Sequence, residues 1–482
     1  MLDMRPVGYV IGLLVAALGV TMTFPLLIDF AQGNGHWPAF LQSAIITVTV
    51  GSLMALACAN SVTGRLSIQQ TFLLTTGVWL ALPIFGAIPF VIGATDLAYV
   101  DAFFEAMSGL TTTGSTVLSG LESLPKGILF WRGMLQWFGG IGIIVVAMVF
   151  LPELRVGGMQ IFRSEGFDTI GKILPRATEI ASRISVVYFA LTIACAFTYI
   201  ALGMTPFDAT THAMTTLATG GFANYDASFA TFGAGVEYAA VLFMLLAALP
   251  FVRFVQLMSG TARPLLHDSQ VRAFFMIAAV LVFIMALWQW NFATSSFEAS
   301  LRQSLFNVVS IITGTGYVSA DYMTWGAFPV ATFFFIGLIG GCAGSTSCSI
   351  KIFRFQLLFS SIKAQIRRIH SPHGLFTPRY AGRRVGEDVL SSVMAFFVLF
   401  IVSLGLIAVL LAMTGLDFIT SISGASAALA NIGPGLGPII GPAGNYGSLN
   451  DAAKWILAAA MLIGRLELMA VYVLFTLKFW RG

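Results

Sequence analysis

Four stretches of this chain end in the same kind of turn, small and uncharged: Thr112-Thr113-Gly114-Ser115, Thr219-Gly220-Gly221-Phe222, Gly314-Thr315-Gly316-Tyr317 and Asn431-Ile432-Gly433-Pro434. Apart from the tyrosine phenol they carry no ionisable side chain. Their available ligands are therefore carbonyl and hydroxyl oxygens. Such oxygens suit an alkali cation, because they replace its water without trapping it. A ring of Asp or Glu would point instead to a divalent ion. The glycines admit the positive or extended dihedrals that turn carbonyls toward a shared axis.

A second constellation is the run from Gly340 to Lys351, GGCAGSTSCSIK, which lies inside an otherwise apolar segment. So many glycines and small hydroxyl residues weaken a helix. The run is expected to break a span near the middle of the membrane, on the cytoplasmic side of the four turns. Gly344, Ser345, Thr346 and Lys351 then form a polar flap suited to gating. A simple glycine kink for close packing is the plainer alternative. A third is Arg465, with Glu467 two residues later, in AAAMLIGRLELMAVYVLF. Ionisable groups in mid-span are costly and usually functional. Arg465 is expected to face the passage below the turns, repel cations and hydrogen-bond the flap. In a continuous helix Glu467 would point about 200° away from it. An arginine paired for packing alone is the alternative.

Other chemical candidates are weaker. Asp226 and Asp321 each follow a repeat glycine by five residues. They either draw cations to an outer mouth or cap loops. His370 and His373 have an H-x-x-H spacing but no third ligand nearby, so they read as a solvated loop rather than a metal site. The four cysteines (Cys58, Cys195, Cys342, Cys348) lie mostly in apolar stretches and imply neither a disulfide framework nor a zinc site.

The elements that position the turns follow from composition. The chain has 482 residues, 57% of them hydrophobic and 10% charged, with a mean hydropathy of +0.89. This excludes a soluble domain and predicts a polytopic membrane protein. Spans of about 20 apolar residues are expected near 7–30, 38–63, 70–94, 128–151, 181–203, 235–259, 273–293, 327–360 (interrupted), 389–414 and 454–479. The N-terminus, if cytoplasmic, shares its side with Arg65, with Arg155, Arg163, Lys172, Arg176 and Arg183, with Arg263 and Arg272, and with the cluster from Lys363 to Arg384. The other side keeps only Lys126, Arg132, Arg302 and Lys454. This positive-inside bias puts both termini in the cytoplasm. The first apolar run has no cleavage pattern and reads as a retained anchor.

Between spans, each turn is preceded by a short apolar segment. The aligned stretches are Asp101–Gly114, Asp208–Gly221, Gln303–Gly316 and Thr420–Gly433, and the first two share Ala-Met at Ala106-Met107 and Ala213-Met214. These are half-helices entering from outside. Their C-termini aim partial negative charge at an ion. The fold class expected is an all-α membrane protein: four span–pore-helix–span repeats in pseudo-fourfold arrangement plus two extra N-terminal helices. The divisions are 1–65 (the two helices), 66–152, 153–260, 261–365 (with the gating loop at 340–351) and 366–482.

With these residues together, the chain resembles a TrkH-type subunit of the Trk/Ktr/HKT superfamily of potassium transporters, over almost its whole length. The four turns, Gly344-Ser345-Thr346, NIGPGLG at 431–437 and mid-span Arg465 carry the resemblance. It implies potassium selectivity from Gly114, Gly221, Gly316 and Gly433. In plant relatives a serine at the first of these positions accompanies sodium transport. It also implies a homodimer in the bacterial inner membrane, gated by a cytosolic TrkA-like nucleotide-binding ring that contacts the basic loops. Two departures stand out. The flap continues Ser347-Cys348-Ser349 where the family often has three glycines, and Tyr317 replaces a commoner phenylalanine.

The expected function is potassium uptake through a channel-like pore. Potassium is the transported ion; no cofactor, nucleic-acid partner or enzymatic activity is expected. The chain has no nucleotide-binding fingerprint, so nucleotide control belongs to a partner. The alternative is a proton- or sodium-coupled symporter, which would place a carboxylate or histidine at its site. Only Glu105 and His212, each nine residues before a repeat glycine, are candidates. An intramembrane enzyme would need a nucleophile–base pair or metal cluster that the spans do not offer.

Overall fold

The computed structural model describes residues 3–61, 66–146, 158–159, 177–292 and 296–481. Arg65, most of the basic loop at 152–179 and the divisions at 65/66 and 152/153 lie outside the described residues. Among the described residues the chain is predominantly helical; its only sheet is a short hairpin, Arg379–Tyr380 against Arg383–Arg384.

Seven described helices are long and apolar enough to cross a bilayer. Two of them, Arg5–Gln32 and Trp37–Cys58, precede the repeats. They approach closely at glycines: a Cβ on Gly12 would come 2.6 Å from the Ala55 amide nitrogen. Such contact replaces the hydrophobic drive that lipid does not supply. Asp29 ties this pair to the first repeat, accepting the Gly127 N–H at 2.7 Å and facing His36 Nδ1 at 2.7 Å.

Each repeat then has an outer span, a half-helix and an inner span. The outer spans are Ile68–Ile92, Ala181–Ala201, Ser269–Phe292 and Glu387–Met413. The half-helices are Tyr99–Leu110, Pro206–Leu217, Phe297–Thr313 and Phe418–Ala430. Three of the four have side-chain caps: Thr205, Ser296 and Asp417 accept the free N–H groups of the first turn. We expect Asp417→Ala to cost about 1 kcal/mol of stability, measured as a lowered thermal midpoint in detergent.

The inner spans differ from expectation. Only Lys126–Val145 is continuous. In the second repeat Ala234–Ala247 turns by 91° into Phe251–Met258. Pro250 explains the break, because it disfavours helix in the residue before it. In the third, Ala327–Gly337 and Ile352–His370 flank the predicted interruption. In the fourth, Asp451–Arg465 turns by 106° into Met469–Phe475. The spans predicted as continuous at 235–259 and 454–479 are thus both broken. Arg465 closes a helix rather than sitting in the middle of one, so the 200° argument for Glu467 does not apply.

Packing closes the repeats into a ring. Each inner helix contacts its own half-helix and also that of the next repeat: Lys126–Val145 packs on Pro206–Leu217, Ala234–Ala247 on Phe297–Thr313, Ala327–Gly337 on Phe418–Ala430, and Asp451–Arg465 on Tyr99–Leu110. The C-terminal halves of the half-helices are buried, while their first residues, Tyr99, Pro206, Phe297 and Phe418, are exposed.

Candidate functional site

The half-helices end with one backbone signature. The residue two before each repeat glycine is left-handed: Thr112 (φ 52), Thr219 (φ 50), Gly314 (φ 79) and Asn431 (φ 52). Gly114, Gly221 and Gly316 are left-handed too, at φ 87, 79 and 81. The fourth repeat breaks the pattern at Gly433, which precedes Pro434.

The four glycines lie together. A Cβ built on Gly114 would meet the Gly220 carbonyl oxygen, and one on Gly221 the Thr315 carbonyl oxygen. On Gly316 it would stand 2.8 Å from the Gly433 nitrogen, and on Gly433 3.0 Å from the Gly114 oxygen. Carbonyls of adjacent repeats therefore crowd one axis. Above them a cavity of about 170 Å³ is lined by all four glycines together with Ser115, Phe222, Pro434 and Asp226.

The hydroxyls of the turns mostly face protein. Thr113 Oγ1 is hydrogen-bonded by Asn431 Nδ2 at 3.0 Å, Thr315 Oγ1 meets Thr313 at 2.8 Å, and Thr219 Oγ1 donates to the Ala218 carbonyl. Thr112 Oγ1 lies 3.8 Å from Cys348 Sγ. The Gly220 carbonyl accepts a bond from Gln136 at 2.6 Å. Ile432 is buried in the core behind the turns and offers only its backbone.

Sequence reasoning missed the braces behind the turns. In three repeats the side chain nine residues before the glycine accepts the amide N–H three residues after it. Glu105 accepts Val117 N at 3.0 Å, His212 Nε2 accepts Asn224 N at 3.4 Å, and Asn307 Oδ1 accepts Ser319 N at 3.3 Å. In the fourth, Ser423 Oγ accepts Leu436 N at 2.9 Å. His212 Nδ1 faces the Asp208 carbonyl at 2.8 Å, which puts the ring proton on Nδ1. Glu105 is also ion-paired with buried Arg132 at 2.7 Å, and Arg132 reaches across to the Ala223 carbonyl of the second repeat at 2.8 Å. Glu105 and His212 are therefore built into the scaffold. Their common offset from the glycine was the available signal. Tyr317 donates behind the turns, to Thr215, Thr216 or the His212 carbonyl.

Asp226 caps the 120–121 turn through Gly120 N at 2.7 Å and also borders the cavity. Asp321 caps Met323 N at 2.9 Å and does not border it. His370 and His373 are exposed, and among the described residues no cluster of three His, Cys, Asp or Glu side chains could hold a metal.

The flap lies directly beneath. Cys348 N would be 3.5 Å from a Cβ on Gly314, and Ser349 N donates to the Ala430 carbonyl at 3.1 Å. Several of the flap's other partners come from the break in the second repeat. Cys342 N and Thr346 Oγ1 donate to the Ala248 and Ala247 carbonyls at 3.0 Å, and Phe251 N donates to the Gly344 carbonyl at 2.9 Å. Two broken helices thus satisfy each other's backbone, which hydrocarbon would otherwise leave unpaired. Ser345 bonds the Cys342 carbonyl and Lys351 the Ser347 carbonyl. Arg465 contacts Cys348 Sγ and bonds the Gly139 carbonyl at 3.1 Å, so flap, fourth repeat and first repeat meet there. Glu467 pairs with Arg354 just after the flap.

Comparison with known proteins agrees with this architecture. The TrkH family, described as a cation transport protein, matches over residues 36–481. The chain belongs to the TrkH family. Among curated relatives, the Trk system potassium uptake protein TrkI of Halomonas elongata is 42% identical over 99% of this chain and 97% of its own length. The Trk system potassium uptake protein TrkH of Escherichia coli is 38% identical over 99% of both chains. The crystal structure of the potassium transporter TrkH from Vibrio parahaemolyticus superposes with a TM-score of 0.91 at 34% identity, covering 100% of both chains. The TrkH-family chain is thus a multi-pass membrane protein with four span–half-helix–span repeats and two preceding helices.

Proposed function

We propose that this chain takes up potassium through the axis where its four glycine turns meet. The observation that carries the reading is the closed set of contacts from Gly114 through Gly220 and Gly221 to Gly316 and Gly433. The potassium uptake named for its relatives supports the choice of ion. Potassium enters the outer cavity, sheds water to the carbonyls of Thr112, Thr113, Thr219, Gly220, Thr315, Asn431, Ile432 and the four glycines, and passes Arg465 and the flap. The binding is transient and to neutral oxygens, as conduction requires. A negative-inside potential supplies ~2.3 kcal/mol per charge per 100 mV. The chain needs no catalysis of its own.

In this reading the gate is Gly344, Ser345, Thr346, Lys351 and Arg465. A positive guanidinium below the turns opposes a cation until it moves. The protein sits in the bacterial inner membrane as a homodimer with both termini cytoplasmic. A TrkA-like nucleotide-binding ring docks on the basic face that includes Lys363, Arg367 and Arg383. The repeats divide as 66–152, 153–260, 261–365 and 366–482. The coupled symporter is disfavoured by the bracing of Glu105 and His212, which leaves neither side chain free to carry a proton with the ion.

The test is cation flux into liposomes holding the purified protein, with voltage and proton gradient imposed separately. Flux should follow voltage alone. Gly114→Ser should lower discrimination of potassium over sodium by about tenfold, the effect of ~1.4 kcal/mol. Unchanged discrimination would remove the first turn from the filter, and dependence on a proton gradient would favour the symporter.

A further inference from the structure

The side chain of Asn431 has a place in this architecture that ion coordination does not explain. Asn431 is fully buried and left-handed, and it caps the fourth half-helix. Its Nδ2 donates twice: to Thr113 Oγ1 of the first turn at 3.0 Å, and to the Met461 carbonyl at 2.9 Å. Met461 lies one turn before Arg465 on the same helix. The third polar bond is open. Asn431 Oδ1 has no hydrogen-bond partner, and neither has Arg465 Nε, although Arg465 is only 3% exposed. Both residues line one small cavity of about 30 Å³, together with Gly464, Cys348 and Lys351. A Cβ on Gly464 would lie 3.1 Å from Asn431 Oδ1, so this oxygen sits against the residue next to Arg465.

An acceptor and a donor, each buried and each unmatched, belong to two residues that line one space. A buried donor or acceptor left unpaired bears its full desolvation penalty. A space of this size admits one water, for which about 10–15 Å³ suffices. We infer that Asn431 is the positioning residue that couples gate to filter: its amide ties the first turn to the helix carrying Arg465, and a single water bridges its Oδ1 to Arg465 Nε. Any shift of Arg465 that opens the passage then pulls on Met461, Asn431 and Thr113 together. The filter cannot rearrange without the gate, nor the gate without the filter. The inference rests on the proposed reading of the turns as filter and Arg465 as gate.

A double-mutant cycle in liposomes tests it, with resting potassium flux and potassium/sodium discrimination as readouts. Arg465→Ala should raise resting flux at least about fivefold, the lower end of ordinary coupling between sites. Asn431→Leu keeps the heavy-atom count and the branching at Cγ and has no polar atoms in its side chain. It should raise resting flux and lower discrimination together. The double variant should show no more flux than Arg465→Ala alone, because the second change cuts a link already cut. Multiplicative effects, or an Asn431→Leu protein with unchanged flux and discrimination, overturn the inference and leave the gate reading intact. An Arg465→Ala protein with unchanged resting flux overturns the gate reading itself, and the inference with it. Should Asn431→Leu fail to give a monodisperse protein, Asn431→Ser removes both amide donors with less bulk and runs the same cycle. A change in stability alone would not produce the non-additivity.

Discussion

Gly221→Ala should cut potassium flux about a hundredfold while leaving an assembled protein. Gly221 sits at φ 79, where an L-residue is strained. That strain alone costs about 1–2 kcal/mol. The larger effect is steric. The added methyl would run into the Thr315 carbonyl, and it would also stand 3.0 Å from the Thr315 carbonyl carbon. Neither side can yield freely, because Gln136 pins this turn through Gly220 O and Phe222 N. The carbonyl of the next repeat must turn away from the axis. If this costs a passing ion ~3 kcal/mol, conduction falls roughly a hundredfold. Gly415→Ala is the control. Gly415 has φ 95, but an added methyl there meets nothing within 4 Å. It should conduct normally with a small loss of stability. Equal flux in both variants would mean that the second turn does not line the path.

Removing either partner of the Glu105–Arg132 pair should destabilise the protein by about 3–5 kcal/mol, because the survivor is an uncompensated charge in a buried site. Both side chains are almost fully buried, at 0% and 1% exposure. Glu105→Ala also strips the acceptor from Thr116 Oγ1 and Val117 N, and Arg132→Ala strips the donor from the Ala223 carbonyl. The double change Glu105→Leu with Arg132→Met should cost less than either single change, since no charge is left behind. Thermal unfolding of the detergent-purified proteins reads the order. Single variants as stable as the parent would mean that the pair does not brace the first and second turns.

The parts of the fold visible in the sequence were those with a compositional mark. The four half-helices showed because each ends in a charge-free glycine turn. The break in the third repeat showed because glycines and serines between 340 and 349 cannot sustain a helix there. The breaks after Ala247 and Arg465 did not show, because LLAALPF and IGRLELM stay apolar enough to pass as continuous spans. Pro250 was the one local hint in the second repeat. In the fourth, Glu467 and Leu468 take φ 60 and 55 with no glycine present. Tertiary contacts, including the Arg354 pair, hold that bend. Polar side chains gave the site's chemistry only in part. Glu105 and His212 stood out as charged or titratable groups close to the turns, but their role depends on an amide that sequence alignment alone does not place beside them.

The circular packing of the repeats has a consequence for biogenesis. Three of its four seams join neighbours in the chain and can form while the polypeptide is still being threaded into the bilayer. The last seam joins Asp451–Arg465 to Tyr99–Leu110, and the bond between Asn431 and Thr113 spans 318 residues. Until that final helix arrives, Asp101 has no Lys454 to pair with, the Gly139 carbonyl has no Arg465 donor, and the ring around the axis stays open at one seam. An insertion intermediate stalled before residue 451 should therefore be a cleft open at one side, vulnerable to membrane quality control, and incapable of passing ions selectively.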